Sequence, residues 1–200
     1  MRKSKRSIVL DLDETLIDSL NPLWKIHCRL SGTRHDSPQR HAFDYHRIWQ
    51  IDPDYCNHMM RTYMSGGHVQ KPRVLPGAKR ALLQLSETHL LIVTTARNAQ
   101  WYPQTMTQLQ AIGCDFHEVH LCTDKNGETT PKALVCREYG YDKIVDDHVE
   151  TATECAAIGM DVFLFGRYPW TITPIDPLNR IRHVHNWRQA YTGLMSTHRA

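Results

Sequence analysis

Short apolar runs alternate with amphipathic stretches along most of this chain. The apolar runs that predict buried strands cover residues 5–10, 89–93, 118–122, 142–145 and 161–165. The stretches that predict helices cover residues 78–85, 101–113, 132–136 and 150–158. Strands that alternate with helices in this way predict an α/β domain with a central parallel sheet.

The stretch from residue 18 to residue 73 interrupts this alternation. It is rich in His, Arg, Asp, Tyr and Trp, it has no strong strand run, and it favours helices over residues 16–30 and 55–64. We therefore predict a small, mainly helical cap at residues 18–73, inserted after the first strand. The core domain then consists of residues 1–17 and 74–200.

Composition narrows the class of protein. The chain has 200 residues, a formal net charge of +3 and six cysteines, none of them in a Cys-x-x-Cys pair. This spacing argues against a structural zinc site. No apolar run is long enough to span a bilayer and no secretory signal is present, so we expect no membrane partner, free thiols and a cytoplasmic location. No long basic stripe follows the basic residues 2–6, which argues against a nucleic-acid tether.

Polar side chains that bind metals or phosphate stand at the ends of the predicted strands and at one helix start. They are Asp11 and Asp13, Thr94 and Thr95, Lys132, and Asp146 and Asp147. Each has an ordinary structural explanation as a helix cap, a strand end or a surface residue. However, ligands bind outside the carboxyl ends of parallel strands, and neighbouring carboxylates need a cation between them. The set as a whole indicates a site for Mg²⁺.

The segment Asp11-Leu12-Asp13-Glu14-Thr15 resembles the first motif of the haloacid dehalogenase superfamily, and the other residues follow in that superfamily's order. The resemblance implies a three-layer, Rossmann-like core with the cap over the active face. It also implies an enzyme, a Mg²⁺-dependent phosphomonoesterase that works through an aspartyl-phosphate. An acid at Asp13 favours a phosphatase, because a carbon–halogen hydrolase need not protonate its leaving group.

Phosphoryl transfer suggests a role for each catalytic candidate. Asp11 attacks phosphorus, and Asp13 protonates the leaving oxygen and then takes a proton from water. Lys132 neutralises charge on the phosphoryl oxygens. Lys125 competes with Lys132 for this role, and we prefer Lys132 because it begins the helix directly before the fourth strand.

The second strand end supplies the predicted phosphate-binding residues Thr94, Thr95 and Ala96. We favour Thr95 as the hydroxyl donor because Thr95-Ala96-Arg97 resembles the superfamily's threonine-small-Arg ending. Arg97 either contacts phosphate or faces solvent.

The resemblance also implies the metal ligands. They are Asp11, the backbone carbonyl of Asp13, and Asp147, with Asp146 as a neighbouring or alternate ligand. The roles of Asp146 and Asp147 are interchangeable at this point.

Several further segments resemble the 5'-nucleotidase and 5'(3')-deoxyribonucleotidase branch, although Thr171 stands where that branch usually has asparagine. They cover residues 75–78, 92–97, 144–152, 158–165 and 167–170. The resemblance implies a nucleoside 5'-monophosphate or deoxynucleotide as substrate. The aromatic residues Trp24, Phe43 and Trp49 of the cap are candidates to stack on its base. The alternative is that these rings form the cap's own core.

Two other functions remain open. One is a phosphatase for another small phosphate ester or for a nucleic-acid 3'-phosphate end. The other is a non-catalytic module that binds phosphate or nucleic acid. No oligomeric state follows from the sequence.

Overall fold

A sheet of six parallel strands forms the centre of the molecule. The computed structural model describes residues 6–32, 52–171, 176 and 179–196. The strands are β1 (Arg6–Leu10), β2 (His89–Asn98), β3 (Glu118–Thr123), β4 (Lys143–Asp146), β5 (Asp161–Phe165) and β6 (Ile181–Val184). Their order is β3-β2-β1-β4-β5-β6, and every neighbouring pair is parallel. Because β1 lies between β2 and β4, the carboxyl ends of these three strands are adjacent.

Helices cover both faces of this sheet. The helices are α1 (Leu20–Ser31), α2 (Pro53–Ser65), α3 (Ala78–Ser86), α4 (Tyr102–Ile112), α5 (Lys132–Tyr139), α6 (Val149–Ala157) and α7 (Trp187–Ser196). Those from α3 to α7 pack on the sheet. Ile8 faces a buried cluster shared with α3, α4 and α7, whereas the next residue, Val9, faces a second cluster shared with α5 and α6. Successive strand residues point to opposite faces, so both faces of the sheet are buried. The predicted three-layer α/β architecture with a parallel sheet is confirmed.

Helices α1 and α2 form a third cluster of their own. It buries Leu23, Ile26, Met59, Tyr63 and Met64. Two chain segments join this helical pair to the core. In them the Asp18 N–H donates to the Arg73 carbonyl at 2.8 Å, and the Leu75 N–H donates to the Leu16 carbonyl at 2.9 Å. The pair lies within the stretch predicted as the cap, but residues 33–51 lie outside the described residues, and the limits at 18 and 73 stay predictions.

Two elements differ from the sequence-based expectation. Strand β6 is not predicted, because only Ile181 and Val184 of its four residues are apolar and they do not alternate with polar residues. Helix α1 begins at Leu20 rather than near residue 16. Glu14 has a left-handed φ of 59°, and its carboxylate accepts hydrogen bonds from the N–H groups of Ser19 and Leu20 at 2.9 and 2.7 Å. These bonds satisfy N–H groups at the start of α1.

Two further findings concern the described residues alone. None of their helices is both long and apolar enough to cross a bilayer. All six cysteines fall within these residues and are free thiols, four of them buried.

Candidate active site

The ammonium group of Lys132 joins the ends of β1 and β4. Asp11 directly follows β1, and its backbone N–H continues the sheet by donating to the Val145 carbonyl at 2.9 Å. Lys132 Nζ, at the first residue of α5, donates to Asp11 Oδ1 at 2.5 Å and to Asp146 Oδ2 at 2.7 Å. Burial disfavours the charge on Lys132, but the two carboxylates outweigh this effect and raise its pKa. The lysine is therefore a fixed cation between two acids.

Burial raises the pKa of Asp11 to about 7. The attraction of Lys132 lowers this pKa, and repulsion from Asp146 and Asp13 raises it. Burial also raises the pKa of Asp147 well above its usual range, and repulsion from Asp11 and Asp146 adds to this effect. The carboxylates of Asp11, Asp146 and Asp147 thus carry more negative charge than the single positive charge of Lys132 can neutralise.

Asp147 is oriented by the indole of Trp170. Trp170 Nε1 donates to Asp147 Oδ2 at 2.8 Å, and the Trp170 ring stacks on Tyr168 at 4.7 Å. The hydroxyl of Tyr168 donates to the Glu14 carbonyl at 2.8 Å. Hydrogen bonds therefore connect the segment after β5 to Asp147, which follows β4, and to Glu14 in the loop after β1.

Asp13 is bound by a buried arginine. Arg97 Nε donates to Asp13 Oδ2 at 2.8 Å, and the terminal nitrogen Nη2 donates to Asp13 Oδ1 at 2.7 Å. The Arg97 side chain is only 3% exposed, whereas that of Asp13 is 28% exposed. Burial acts to raise the pKa of Asp13, but the charge and hydrogen bonds of Arg97 outweigh it and lower the pKa. Asp13 is therefore held as a carboxylate.

A cavity of about 380 Å³ opens over these residues. Its lining includes most of the predicted set, namely Asp11, Asp13, Thr95, Ala96, Lys132, Asp146 and Asp147. Helix α2 contributes Met60. Glu150 and Glu154 of α6 also line the cavity, and both are exposed.

The two threonines at the end of β2 have different surroundings. Thr95 lines the cavity, and its hydroxyl oxygen accepts a hydrogen bond from the Arg97 N–H at 3.3 Å. The Thr94 hydroxyl is buried without a hydrogen-bond partner among the described residues, and Thr94 is not part of the lining. Because successive side chains along a strand point to opposite faces, the neighbouring residues Thr94 and Thr95 have different surroundings.

Other predicted residues lie elsewhere. Lys125 is exposed in the loop between β3 and α5, whereas Lys132 lies in the site. Trp24 lies on α1 with its ring 5.8 Å from that of His27, and the structure does not bring it to the cavity. Phe43 and Trp49 lie outside the described residues.

Sequence reasoning did not identify the contributions of Arg97, Trp170 and Glu14. For Arg97 the local sequence carries no decisive signal, because the strand pairing is irregular between Thr95 and Asn98 and does not follow simple alternation there. The Trp170–Asp147 bond joins residues 23 apart, and the Arg97–Asp13 bond joins residues 84 apart. Such pairings depend on the folded chain and leave no local pattern.

The donor set fits a hard divalent cation. Asp146 has both oxygens engaged, one by Lys132 and one by the His148 N–H at 2.8 Å. Asp147 is therefore better suited than Asp146 to offer an oxygen, together with Asp11 and the Asp13 carbonyl. Within the described residues no group of three His, Cys, Asp or Glu side chains is arranged to hold a metal. The implied ligand set does not require one, since it contains two carboxylates and one backbone carbonyl.

Comparisons with known proteins find similarity in structure but not in sequence. No family model and no curated protein sequence matches this chain. A predicted phosphatase from Clostridium acetobutylicum has a TM-score of 0.69 at 12% identity, over 96% of this chain and 99% of its own. A subfamily IA hydrolase of the haloacid dehalogenase superfamily from Geobacter sulfurreducens has a TM-score of 0.62 at 15% identity, over 96% and 99%. A predicted phosphoglycolate phosphatase from Haemophilus somnus has a TM-score of 0.63 at 16% identity, over 97% and 100%.

These similarities extend over nearly the whole length of each compared chain. None of these three proteins is described as a nucleotidase, so the resemblance to the nucleotidase branch stays a prediction. The strand order, the layers and the structural similarities together show that this chain has the Rossmann-like fold of the haloacid dehalogenase superfamily.

Proposed function

We propose that this protein is a Mg²⁺-dependent phosphomonoesterase that works through an aspartyl-phosphate on Asp11. The observation that carries the proposal is the joint position of Asp11, Asp13 and Lys132 around one cavity. Asp11 is in contact with a fixed cation, and Asp13 faces the same space. A nucleophile, an acid–base group and a positive charge are the parts that phosphoryl transfer requires.

In the first half-reaction, a carboxylate oxygen of Asp11 forms a bond to phosphorus while the bond from phosphorus to the leaving oxygen breaks. Asp13 delivers a proton to that oxygen, so the product leaves as an alcohol. Arg97 keeps Asp13 ionised before substrate binds. A monoester bound as the monoanion supplies the required proton, since the second pKa of such phosphates is about 6. This proton passes from the phosphate to the Asp13 carboxylate, which then delivers it to the leaving oxygen.

In the second half-reaction, Asp13 takes a proton from a water molecule, whose oxygen attacks phosphorus. As the water oxygen bonds to phosphorus, the bond from phosphorus to Asp11 breaks and inorganic phosphate is released. Asp13 then gives its proton to solvent and returns to the carboxylate form. The ion pair with Arg97 favours the carboxylate form of Asp13, which is the form that this step needs. Lys132 neutralises charge on the phosphoryl oxygens, and the Thr95 hydroxyl donates to one of them.

Asp11, the Asp13 carbonyl and Asp147 would hold the Mg²⁺, with Asp146 beside them. When bound, the ion reduces the repulsion between the phosphate and the carboxylates and helps to orient the phosphate. Trp170 keeps the Asp147 carboxylate in one orientation, as groups behind metal ligands commonly do.

The charges around the cavity support a substrate with a neutral leaving group. Among the described residues, Glu150 and Glu154 add exposed carboxylates to the cavity lining. The cations Lys132 and Arg97 are already paired with acids. Within the described lining, a second anionic group on the substrate would therefore meet carboxylates and be repelled. This favours nucleoside 5'-monophosphates, deoxynucleotides or sugar phosphates over phosphoglycolate or a polyanionic 3'-phosphate end.

The test is a hydrolysis assay with Mg²⁺ that presents each class of ester at the same concentration. We expect turnover of an aryl phosphate and of nucleoside monophosphates, loss of turnover with a chelator, and a loss of at least about 10³-fold in Asp11→Asn. Full activity in Asp11→Asn would contradict the covalent mechanism. A preference for phosphoglycolate would contradict the substrate class.

A second assay separates the enzyme from a non-catalytic binding module. Binding of a labelled oligonucleotide would be compared between the full chain and a variant lacking residues 1–6. Tight binding lost with this tail, in a protein without phosphatase activity, would support the binding module instead.

A further inference from the structure

Gln108 is a fully buried amide on the apolar side of α4, beside Leu109 and Ile112. Its carbonyl oxygen Oε1 accepts a hydrogen bond from the Arg97 nitrogen Nη1 at 2.5 Å. Its Nε2 donates to the Tyr63 hydroxyl at 3.1 Å and to the His68 carbonyl at 3.0 Å. The amide has one orientation, because arginine can only donate and a backbone carbonyl can only accept.

The bond to Arg97 controls the plane of its guanidinium group. Nη1 is held by Gln108 and, at 3.2 Å, by the Thr105 hydroxyl. Nε and Nη2 hold the two oxygens of Asp13. Since the guanidinium is a rigid, planar fork, its fixation at Nη1 also fixes the plane of the Asp13 carboxylate.

The other bonds of Gln108 lead to the helical pair. Tyr63 belongs to α2 and is buried in the cluster between α1 and α2. Its ring stacks on that of His68, which follows α2, with the ring centres 5.5 Å apart. A continuous set of hydrogen bonds therefore runs from α2 through Gln108 and Arg97 to Asp13.

We propose that Gln108 is a positioning residue that aligns Asp13 with the leaving oxygen and links this alignment to the position of α2. Gln108 does not line the cavity and acts only through Arg97. The inference rests on the proposed phosphatase function, because alignment matters only where Asp13 transfers a proton. A general acid contributes about 10²- to 10⁴-fold when it is well placed, so imperfect alignment has a measurable cost.

The test compares two esters that differ in their need for an acid. An alkyl phosphate requires protonation of its leaving oxygen, whereas a dinitrophenyl phosphate releases a stable anion without it. In Gln108→Leu we expect kcat/KM to fall about 10- to 100-fold for the alkyl ester and less than about 3-fold for the dinitrophenyl ester. A merely structural defect would reduce both by the same factor, and equal losses would overturn the proposal.

Two further variants complete the test. Gln110→Leu is the matched control, since Gln110 is an exposed glutamine on the same helix, and it should change neither rate. A selective loss in this control would also overturn the proposal. Tyr63→Phe removes the hydroxyl that Gln108 contacts and keeps the buried ring, so it should give a smaller selective loss. An unchanged ratio of the two rates in Tyr63→Phe would overturn the link to α2.

Failure of the proposed function would have a different signature. In that case the unaltered protein would hydrolyse neither ester, and the comparison among variants would not arise. Thermal unfolding of each variant identifies those that do not fold. Should Gln108→Leu not fold, Tyr63→Phe still tests the proposal, because phenylalanine preserves the apolar contacts of the ring.

Discussion

Arg97 binds both carboxylate oxygens of Asp13, at 2.8 and 2.7 Å. The two residues come from distant parts of the chain, since Asp13 lies in the loop after β1 and Arg97 lies near the end of β2. The pair explains how a carboxylate in a largely buried site stays ionised, because the positive charge outweighs the effect of burial. It also leaves one edge of Asp13 facing the cavity, where a proton can be exchanged with substrate or water.

Replacement of this arginine by lysine should impair catalysis. Lysine retains the charge but cannot bind both oxygens in one plane, so Arg97→Lys should lower kcat/KM for an alkyl phosphate about 10- to 100-fold. Steady-state kinetics with that ester measure the effect. The control is Arg137→Lys on the exposed surface of α5, which should retain full activity. Equal activity in the two variants would contradict the role given to Arg97.

The sequence predicts the architecture well because its strongest signals are local. The apolar runs around Val9, Ile144 and Phe163 mark strands buried on both faces, and the acids that follow two of them mark the site. The environment of Asp13 could not be predicted in the same way. Its partner Arg97 has the same local pattern whether it faces solvent or the site, and only the packing of α4 against β2 decides between them. Gln108 is likewise a polar residue whose buried position becomes clear only in the fold.

The Trp170–Asp147 hydrogen bond should affect metal affinity. Trp170→Phe removes the indole N–H that donates to Asp147 Oδ2, while an aromatic ring remains to stack on Tyr168. Loss of a bond of this kind behind a metal ligand typically weakens binding about 10- to 100-fold. Calorimetric titration with Mg²⁺ should show a weaker affinity of this size. Trp24→Phe, outside the cavity, should bind Mg²⁺ normally, and normal affinity in Trp170→Phe would contradict the assignment of Asp147.

The raised pKa of Asp11 predicts a stability difference that depends on pH. The pKa of Asp11 is about 7 in the folded protein, against an ordinary value of 3.8. A carboxyl group with a raised pKa stabilises the fold fully below about pH 4, and this contribution is lost as the pH rises through about 7. Asparagine does not titrate. Without Mg²⁺, Asp11→Asn should therefore become more stable relative to the unaltered protein as the pH rises, by an amount on the order of 1–4 kcal/mol.

Urea unfolding at about pH 5 and at about pH 8 measures this difference in the free energy of unfolding. Added Mg²⁺ should stabilise the unaltered protein more than Asp11→Asn, because it binds the ionised carboxylate. A difference between the two proteins that does not change with pH would show that Asp11 is not destabilised by its burial.

Gly193 in α7 should not tolerate a larger residue. A Cβ atom at this position would lie 2.5 Å from Cε1 and 3.2 Å from Cδ1 of Phe163, which is fully buried in β5. Gly193→Ala would gain up to about 1 kcal/mol in helix propensity, but overpacking costs typically about 1–3 kcal/mol. We expect a net loss in the free energy of unfolding by urea. The control Thr192→Ala, at the exposed neighbouring position, should be neutral or slightly stabilising, and a stabilised Gly193→Ala would contradict the packing of α7 on the sheet.

The most direct test of the central claim is chemical trapping of the phosphorylated aspartate. The protein would be quenched with acid during turnover of a phosphate ester in Mg²⁺, treated with borohydride, digested and analysed by mass spectrometry. Borohydride reduces an acyl phosphate to an alcohol, so the peptide that carries Asp11 should contain homoserine at this position, and the same peptide from Asp11→Asn should not. Steady turnover with an unmodified Asp11, or with the reduced residue at another acid, would contradict the account.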